Sequence, residues 1–254
     1  MCFAGRLMGI GSGDTKVQTV FDHLKEMRNL QVLMPFLLLG WAVVLFAFSP
    51  WMLLAILWGA LLQFLFEYIL HRFAYHGPPP TDQGAFSKLY RTHLAHHEFP
   101  ADPRFFAGDA PWFGVRVAAI VVLLHTLALW PLVGLDLAAR LACSATFVGG
   151  IGAYIFYEYC HTLAHLSIPK RRFGTWVTRT HLAHHFQDHH ATFQVSAGMG
   201  WIDRLLGTAF DKARARSRYD AATHQTVGLQ PDDPRLVAAR DELGLPQHQS
   251  RQKG

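Results

Sequence analysis

A chain of 254 residues is long enough for one domain or two small ones. Half of it is hydrophobic, 51%, and only 16% is charged; about a quarter is usual, so this composition argues against an ordinary soluble domain. The net charge of +5 invites a nucleic-acid reading, but the distribution of lysines and arginines described below explains it and no nucleic acid is expected.

The first 30 residues lack the ordered charged, apolar and cleavage segments of a cleavable signal peptide. Within 17–30, Val17, Val20, Phe21, Leu24 and Met27 fall at helical spacing, which predicts a short helix lying on the membrane surface or packed on the rest of the protein. Four apolar runs follow, at 31–48, 52–70, 117–135 and roughly 137–160. Each approaches the ~20 residues that cross ~30 Å of hydrocarbon. The first two are joined only by Ser49, Pro50 and Trp51 and predict a tight helical hairpin. Residues 211–254 are polar and basic and read as a solvated tail near anionic head groups, with Asp233 and Pro234 starting a helix. The expected divisions are therefore 1–30, 31–210 and 211–254.

Lysine and arginine set the orientation. Four precede the first run, four lie between the second and third with Arg116 beside them, and thirteen follow the fourth. The two short connections on the other side carry none apart from Arg140. Both termini and the 71–112 segment are thus expected in the cytosol, with the chain in the inner membrane of a bacterium or the endoplasmic reticulum of a eukaryote. The fold class expected is all-α: four transmembrane helices and a cytosolic helical cap. Cys2, Cys143 and Cys160 show neither metal-type nor disulfide-type spacing.

The heptad RTHLAHH occurs at 91–97 and again at 179–185, and ten of the sixteen histidines form four clusters. These are His71 and His76; His93, His96 and His97; His161 and His165; and His181, His184 and His185. At about 100° per residue, i, i+3 and i+4 share a helix face, so HLAHH presents three imidazoles together, twice. His71 and His76 lie about 140° apart on an ideal helix, so one of them must sit where the helix ends, as Gly77 and Pro78–Pro80 suggest. The chain reads as a weak internal repeat. Each half supplies a span ending in Glu-Tyr (Glu67-Tyr68, Glu158-Tyr159), two histidines and then HLAHH.

Ten neutral nitrogen donors suit two metal ions with about five ligands each, leaving open positions. Imidazole alone does not choose among iron, zinc, copper and nickel. Glu67, Glu158, Asp102 and Asp188 are placed to orient the rings from a second layer. Asp102 can instead cap a turn with Pro103. His189 and His190 are expected beside the site, His125 hydrogen-bonded within its helix, and His23, His224 and His248 on the surface. A two-metal hydrolase would use bridging carboxylates, and the clusters contain none; an all-histidine pair at the membrane surface suits oxygen chemistry on an alkyl chain.

HRFAYH (71–76), HLAHHEFPAD (93–102), HTLAH (161–165) and HLAHH (181–185) resemble the histidine boxes of the membrane-bound fatty acid hydroxylase and sterol desaturase superfamily. The stretch HHFQDHHATFQVSAGMGWIDRLLGTAF (184–210), with Trp201, Asp203, Gly207 and Thr208, is similar to the segment after the last box of fatty acid 2-hydroxylases. The resemblance implies a non-haem dimetal centre, expected to be iron with zinc as a substitute, held by His71, His76, His93, His96, His97, His161, His165, His181, His184 and His185. It implies a lipid acyl substrate among the membrane lipids, dioxygen, and hydroxylation at the 2-position. Those relatives often carry a cytochrome b5 domain, for which thirty residues are too few. Electrons are thus expected from a separate protein, cytochrome b5 or a ferredoxin with its reductase. Gln194 stands where a glycine is expected, in a region that shapes the substrate entrance. The rival readings are sterol methyl oxidation, desaturation or carotenoid-type hydroxylation by the same centre, or a non-catalytic, metal-stabilised membrane protein.

Overall fold

The structure is a computed structural model that describes residues 20–108, 110–196 and 200–247. It is all-helical among these residues. Helix α1 (Val20–Glu26) leads into α2 (Arg28–Phe46) and α3 (Trp51–Ile69), and α3 continues through a π-helical turn, Leu70–Tyr75. Helix α4 (Gln83–Leu89) passes through a second π-turn, Tyr90–Leu94, into α5 (Ala95–Glu98). Helices α6 (Pro111–Val133) and α7 (Leu135–Cys143) meet at Gly134, whose φ of 78° lies in the left-handed region that glycine enters freely. Helix α7 runs through a π-segment, Ser144–Gly150, into α8 (Ile151–His165). Helices α9 (Arg172–Phe186), α10 (Trp201–Leu205), α11 (Lys212–Arg218) and α12 (Pro234–Glu242) follow among the described residues.

Among the described residues, four helical stretches are long and apolar enough to cross a membrane: Arg28–Phe46, Trp51–Tyr75, Pro111–Val133 and Leu135–His165. Their outer faces carry Leu45, Leu57, Trp58, Leu123 and Leu132 exposed, as lipid contact requires and water would penalise. The four runs read from the sequence each fall on one of these stretches. Close packing holds them together. A Cβ on Gly59 would collide with the carbonyl oxygen of Ala145, and one on Gly149 with that of Ile56, so α3 and the π-segment touch backbone to backbone. Small residues at a helix interface permit this approach where lipid, as apolar as leucine, provides no hydrophobic drive.

The N-terminal helix packs on the protein. Val20, Leu24 and Met27 are buried with Phe106 and Leu163, so the helix packs on the protein through these residues, while Phe21 stays exposed; Val17 lies outside the described residues. The C-terminal region also departs from expectation. It is not a solvated tail: Leu236, Ala239 and Leu245 join Phe86, Tyr90, Leu94, Ala95 and Phe105 in one core. Helix α12 does start where Asp233 caps it, the carboxylate accepting the Arg235 N–H, with Pro234 in the first turn. Its Arg240 is fully buried and pairs with Glu98 at 2.5 Å, and the Tyr90 hydroxyl donates to the same carboxylate at 2.5 Å. A charge that looks solvent-bound in sequence therefore ties α12 to the helix of the first HLAHH.

Candidate metal centre

The ten histidines converge at the C-terminal ends of α3 and α8 and divide into two groups of five. One is His71, His76, His93, His97 and His184; the other is His96, His161, His165, His181 and His185. In each group one nitrogen per ring lies within 4.8 Å of all the others. The partition crosses the internal repeat. The middle histidine of each HLAHH, His96 or His184, leaves its own half and completes the other half's group. His97 and His185, equivalent in the two heptads, stack at 4.2 Å where the groups meet.

Local helix geometry makes the first group possible. The His76 N–H donates to the His71 carbonyl oxygen at 3.1 Å, an i→i+5 bond. This π-turn widens the helix by one residue and swings two side chains that an α-helix would splay into one group, their ring centroids 4.9 Å apart. The helix ends immediately afterwards, as the glycine and prolines require. In the second half His161 and His165 are four apart on a regular α-helix and need no such device.

The donor set fits metal ions. Facing Nε2 atoms lie 2.8 Å apart for His76 and His93, 3.1 Å for His93 and His97 and 3.1 Å for His76 and His184. In the other group the separations are 2.9 Å for His96 and His161, 2.8 Å for His165 and His181 and 3.0 Å for His181 and His185. Metal–nitrogen bonds of about 2.1 Å at right angles place neighbouring donors ~3.0 Å apart. Tautomers agree. The Nδ1–H of His71 donates to the Phe193 carbonyl at 2.5 Å and that of His184 to the Ala191 carbonyl at 2.6 Å. Each Nε2 lone pair is thereby turned inward, and the buried Nε2 of His71 has no hydrogen-bond partner. Converging lone pairs repel unless a cation sits between them. Burial, with like neighbours, holds His76, His93, His96, His97, His181, His184 and His185 well below the ordinary histidine pKa, so all offer neutral donor nitrogens at pH 7.

The carboxylates act differently from expectation. None of Glu67, Asp102, Glu158 and Asp188 hydrogen-bonds a histidine ring. Glu67 accepts the N–H groups of Val195 and Ser196 at 2.5 and 3.0 Å and the Ser196 hydroxyl. Asp203, which ligand-spacing arguments pass over, accepts those of Phe193 and Gln194 at 2.9 and 3.0 Å. Two buried carboxylates thus grip four consecutive amides of the loop whose carbonyls hold His71 and His184. Backbone carbonyls are the direct orienters because the loop reaches the rings first. The sequence signal for Asp203 was the Trp-x-Asp of the 184–210 stretch. Asp102 caps the turn Pro103–Phe105 and pairs with Arg104, and Asp188 accepts the His190 N–H. Glu158 keeps one buried oxygen without a hydrogen-bond partner.

His189 and His190 fall outside both groups, as expected. His125 donates to the Val121 carbonyl and accepts from the Trp58 indole, fully satisfied within the spans. His23 and His224 are buried, not surface residues, against Phe106 and between His189 and Tyr219; His248 lies outside the described residues.

Residues 56–208, more than half of the chain, match the family model described as Fatty acid hydroxylase. The chain belongs to the fatty acid hydroxylase family. It is 30% identical over 154 residues to the ceramide very long chain fatty acid hydroxylase SCS7 of Saccharomyces cerevisiae, covering 59% of this chain and 36% of that protein. It is 30% identical over 156 residues to the dihydroceramide fatty acyl 2-hydroxylase FAH2 of Arabidopsis thaliana, covering 61% and 60%. The fatty acid 2-hydroxylase of Macaca fascicularis is 30% identical over 143 residues, covering 54% and 35%. The chain thus spans between about a third and three-fifths of the length of these relatives. Among solved structures, full-length scs7p, with only its hydroxylase domain visible, shares the fold with a TM-score of 0.59 at 24% identity, over 72% of this chain and 66% of that one.

Proposed function

We propose that this protein is a membrane-bound, dioxygen-dependent hydroxylase of a lipid acyl chain, acting at C2 through a dimetal centre held by the ten histidines. The observation that carries the reading is the pair of five-imidazole groups at one end of apolar helices, inside the stretch that matches the family. Related proteins named as ceramide, dihydroceramide and fatty acid 2-hydroxylases support an acyl substrate and the 2-position. The basic residues flanking the helices support four spans with both ends of the chain in the cytosol.

With two iron ions bound, the centre supplies reductive activation of dioxygen and oxidation of an unactivated C–H bond. The chain's own part is to hold and exclude. The loop carbonyls of Ala191 and Phe193 fix two rings, and Glu67 and Asp203 fix the loop. The apolar helices accommodate the acyl chain and keep water from the reacting carbon. The free oxygen of Glu158, one turn before His161, is available to accept a hydrogen bond from the substrate's amide or hydroxyl.

The test is lipid mass spectrometry under ¹⁸O₂ in an expressing host, comparing the parent with His184→Ala. One ¹⁸O in an acyl chain, present only with the intact histidine, is the expected result. A new double bond without label would move the protein to the desaturases. Unchanged lipids with iron and reductant supplied would leave a metal-stabilised scaffold.

A further inference from the structure

Inserting one oxygen atom of O₂ into a C–H bond and releasing the other as water consumes two electrons and two protons, and a reductant must deliver the electrons to the centre. We infer that the surface around α11 docks an acidic one-electron carrier protein, and that the pocket between α11 and the end of α3 is its approach to the cage. The inference rests on the hydroxylase reading above.

The pocket, about 650 Å³, is lined by Arg72, Arg214, Arg218, His190, Asp188 and the cage histidine His76. His76 is the member of its group that remains partly exposed. Asp188 is the one carboxylate in the lining, and it is already occupied, accepting the His190 N–H and facing Arg218 at 3.8 Å. Asp211 and Asp220, flanking α11, cap the N–H groups of Arg214 and Ala222. Hydrogen bonding leaves these three carboxylates charged, but Arg72, Lys212, Arg214, Arg216 and Arg218 outnumber them, so positive charge dominates.

It also extends beyond the pocket. In KARARSR, Lys212 and Arg216 are four apart on one face, Arg214 and Arg218 on nearly the opposite one. A lipid phosphate in the pocket would meet Arg72, Arg214 and Arg218 and leave Lys212 and Arg216 unused. The width of the patch suits a protein surface.

A file of rings lies behind it. His189 stacks on His76 at 6.1 Å and 19°, packs on His224 at 5.1 Å, and His224 on Tyr219 at 4.9 Å. Tyr219 is 51% exposed at the end of α11. Neither ring nitrogen of buried His189 has a hydrogen-bond partner. These rings form no third metal group among the described residues. What they do is connect the basic surface to a cage ligand through aromatic contacts.

The probe is the soluble haem domain of cytochrome b5 with its reductase, acting on the full chain in nanodiscs of zwitterionic lipid. Two quantities are read: affinity of the oxidised probe for metal-free protein, and oxidation of the reduced probe by iron-loaded protein. Both should weaken about tenfold or more between low salt and ~0.3 M salt, as steered association does. Lys212→Glu with Arg216→Glu, whose side chains make no hydrogen bond or ion pair here, should weaken both at least about tenfold at low salt and flatten the salt dependence, with iron content unchanged. Arg214→Gln with Arg218→Gln is the second variant and should weaken both in the same direction. Unaltered affinity and rate in both variants would overturn the inference. So would loss of binding to phosphatidylserine vesicles with probe oxidation intact, which assigns the patch to lipid head groups. If the loaded parent, reduced with dithionite, freed of excess reductant and then exposed to ¹⁸O₂, places no label in lipid, the hydroxylase reading fails first and takes this inference with it.

Discussion

The two halves of the chain reach the same ring arrangement by different local means. In the second half, HTLAH and HLAHH sit on the regular helices α8 and α9, and helical spacing alone gathers the rings. In the first half, HRFAYH needs a π-turn, and the same HLAHH straddles a π-turn and the short helix α5. A four-residue helix has no stability of its own. It is held from outside, by the Glu98–Arg240 pair and the core under α12. The repeat thus preserves ring positions rather than backbone, and the first half depends on a segment lying beyond the family match.

The crossing of His96 and His184 between the halves has the largest expected consequence. His96→Ala should strip metal from the group formed mainly by the second half, and His97→Ala from the group formed mainly by the first. Each should increase metal loss to a chelator by at least about 100-fold, above the 10- to 100-fold typical of outer-layer changes. Metal content per chain after a timed challenge checks this. If His96→Ala and His97→Ala empty the same site, distinguished by spectroscopy of the remaining iron, the crossed assignment is wrong.

Arg240→Met tests the outside support. Removing one partner of a buried pair leaves Glu98 charged and uncompensated and should cost about 3–5 kcal/mol. Replacing both, Glu98→Met with Arg240→Met, should recover much of that loss, because the desolvation penalty of the pair disappears with it. Thermal unfolding in detergent reads both. The first-half metal should be lost from Arg240→Met before the second-half metal; simultaneous loss would mean that α12 supports the whole cage.

Acid should act on both halves alike. The cage histidines outside the spans have folded-state pKa values lowered by burial, so the unfolded chain binds more protons as pH falls below about 6.5. Their stabilising contribution is complete above that pH and is lost progressively below it, at up to about 1.4 kcal/mol per ring per pH unit. Metal-free protein should therefore show a falling unfolding temperature from pH 7.5 to 5.5, with His93→Phe and His181→Phe each flattening the slope by a similar amount. A flat profile in the parent would mean that the rings are not buried.

Much of this was legible in sequence, for identifiable reasons. Hydrocarbon thickness makes a span visible as a run of apolar residues, and a 100° step makes HLAHH visible as one face. The five-residue gap between His71 and His76 signalled an irregularity but not whether the helix stops or widens. Which group of rings His96 joins depends on how two distant helices are juxtaposed, and spacing along one helix carries no such information. Glu67 sits one turn before His71, the position of an imidazole partner, yet the amides of Val195 and Ser196 and the Ser196 hydroxyl take its buried oxygens instead. The start of α12 was legible at Asp233 and Pro234, but its docking on the core was hidden because its buried face is one leucine, one alanine and an arginine, which in composition look like solvated chain.

The smallest expected effect concerns the loop that serves both halves. Gln194 is 2% exposed, its backbone N–H is held by Asp203, and neither atom of its amide group has a hydrogen-bond partner. An unpaired buried amide costs about 1–3 kcal/mol, a cost that a substrate polar group could offset. Gln194→Gly, restoring the residue expected there, should stabilise the resting protein or leave it unchanged while shifting selectivity among acyl substrates by roughly 10-fold, the worth of one hydrogen bond to a neutral partner. Competition between a free fatty acid and its ceramide, scored as the ratio of 2-hydroxylated products, measures it. An unchanged ratio with a stabilised protein would make Gln194 a packing residue and place the discriminating contact elsewhere, with Glu158 the next buried oxygen to substitute.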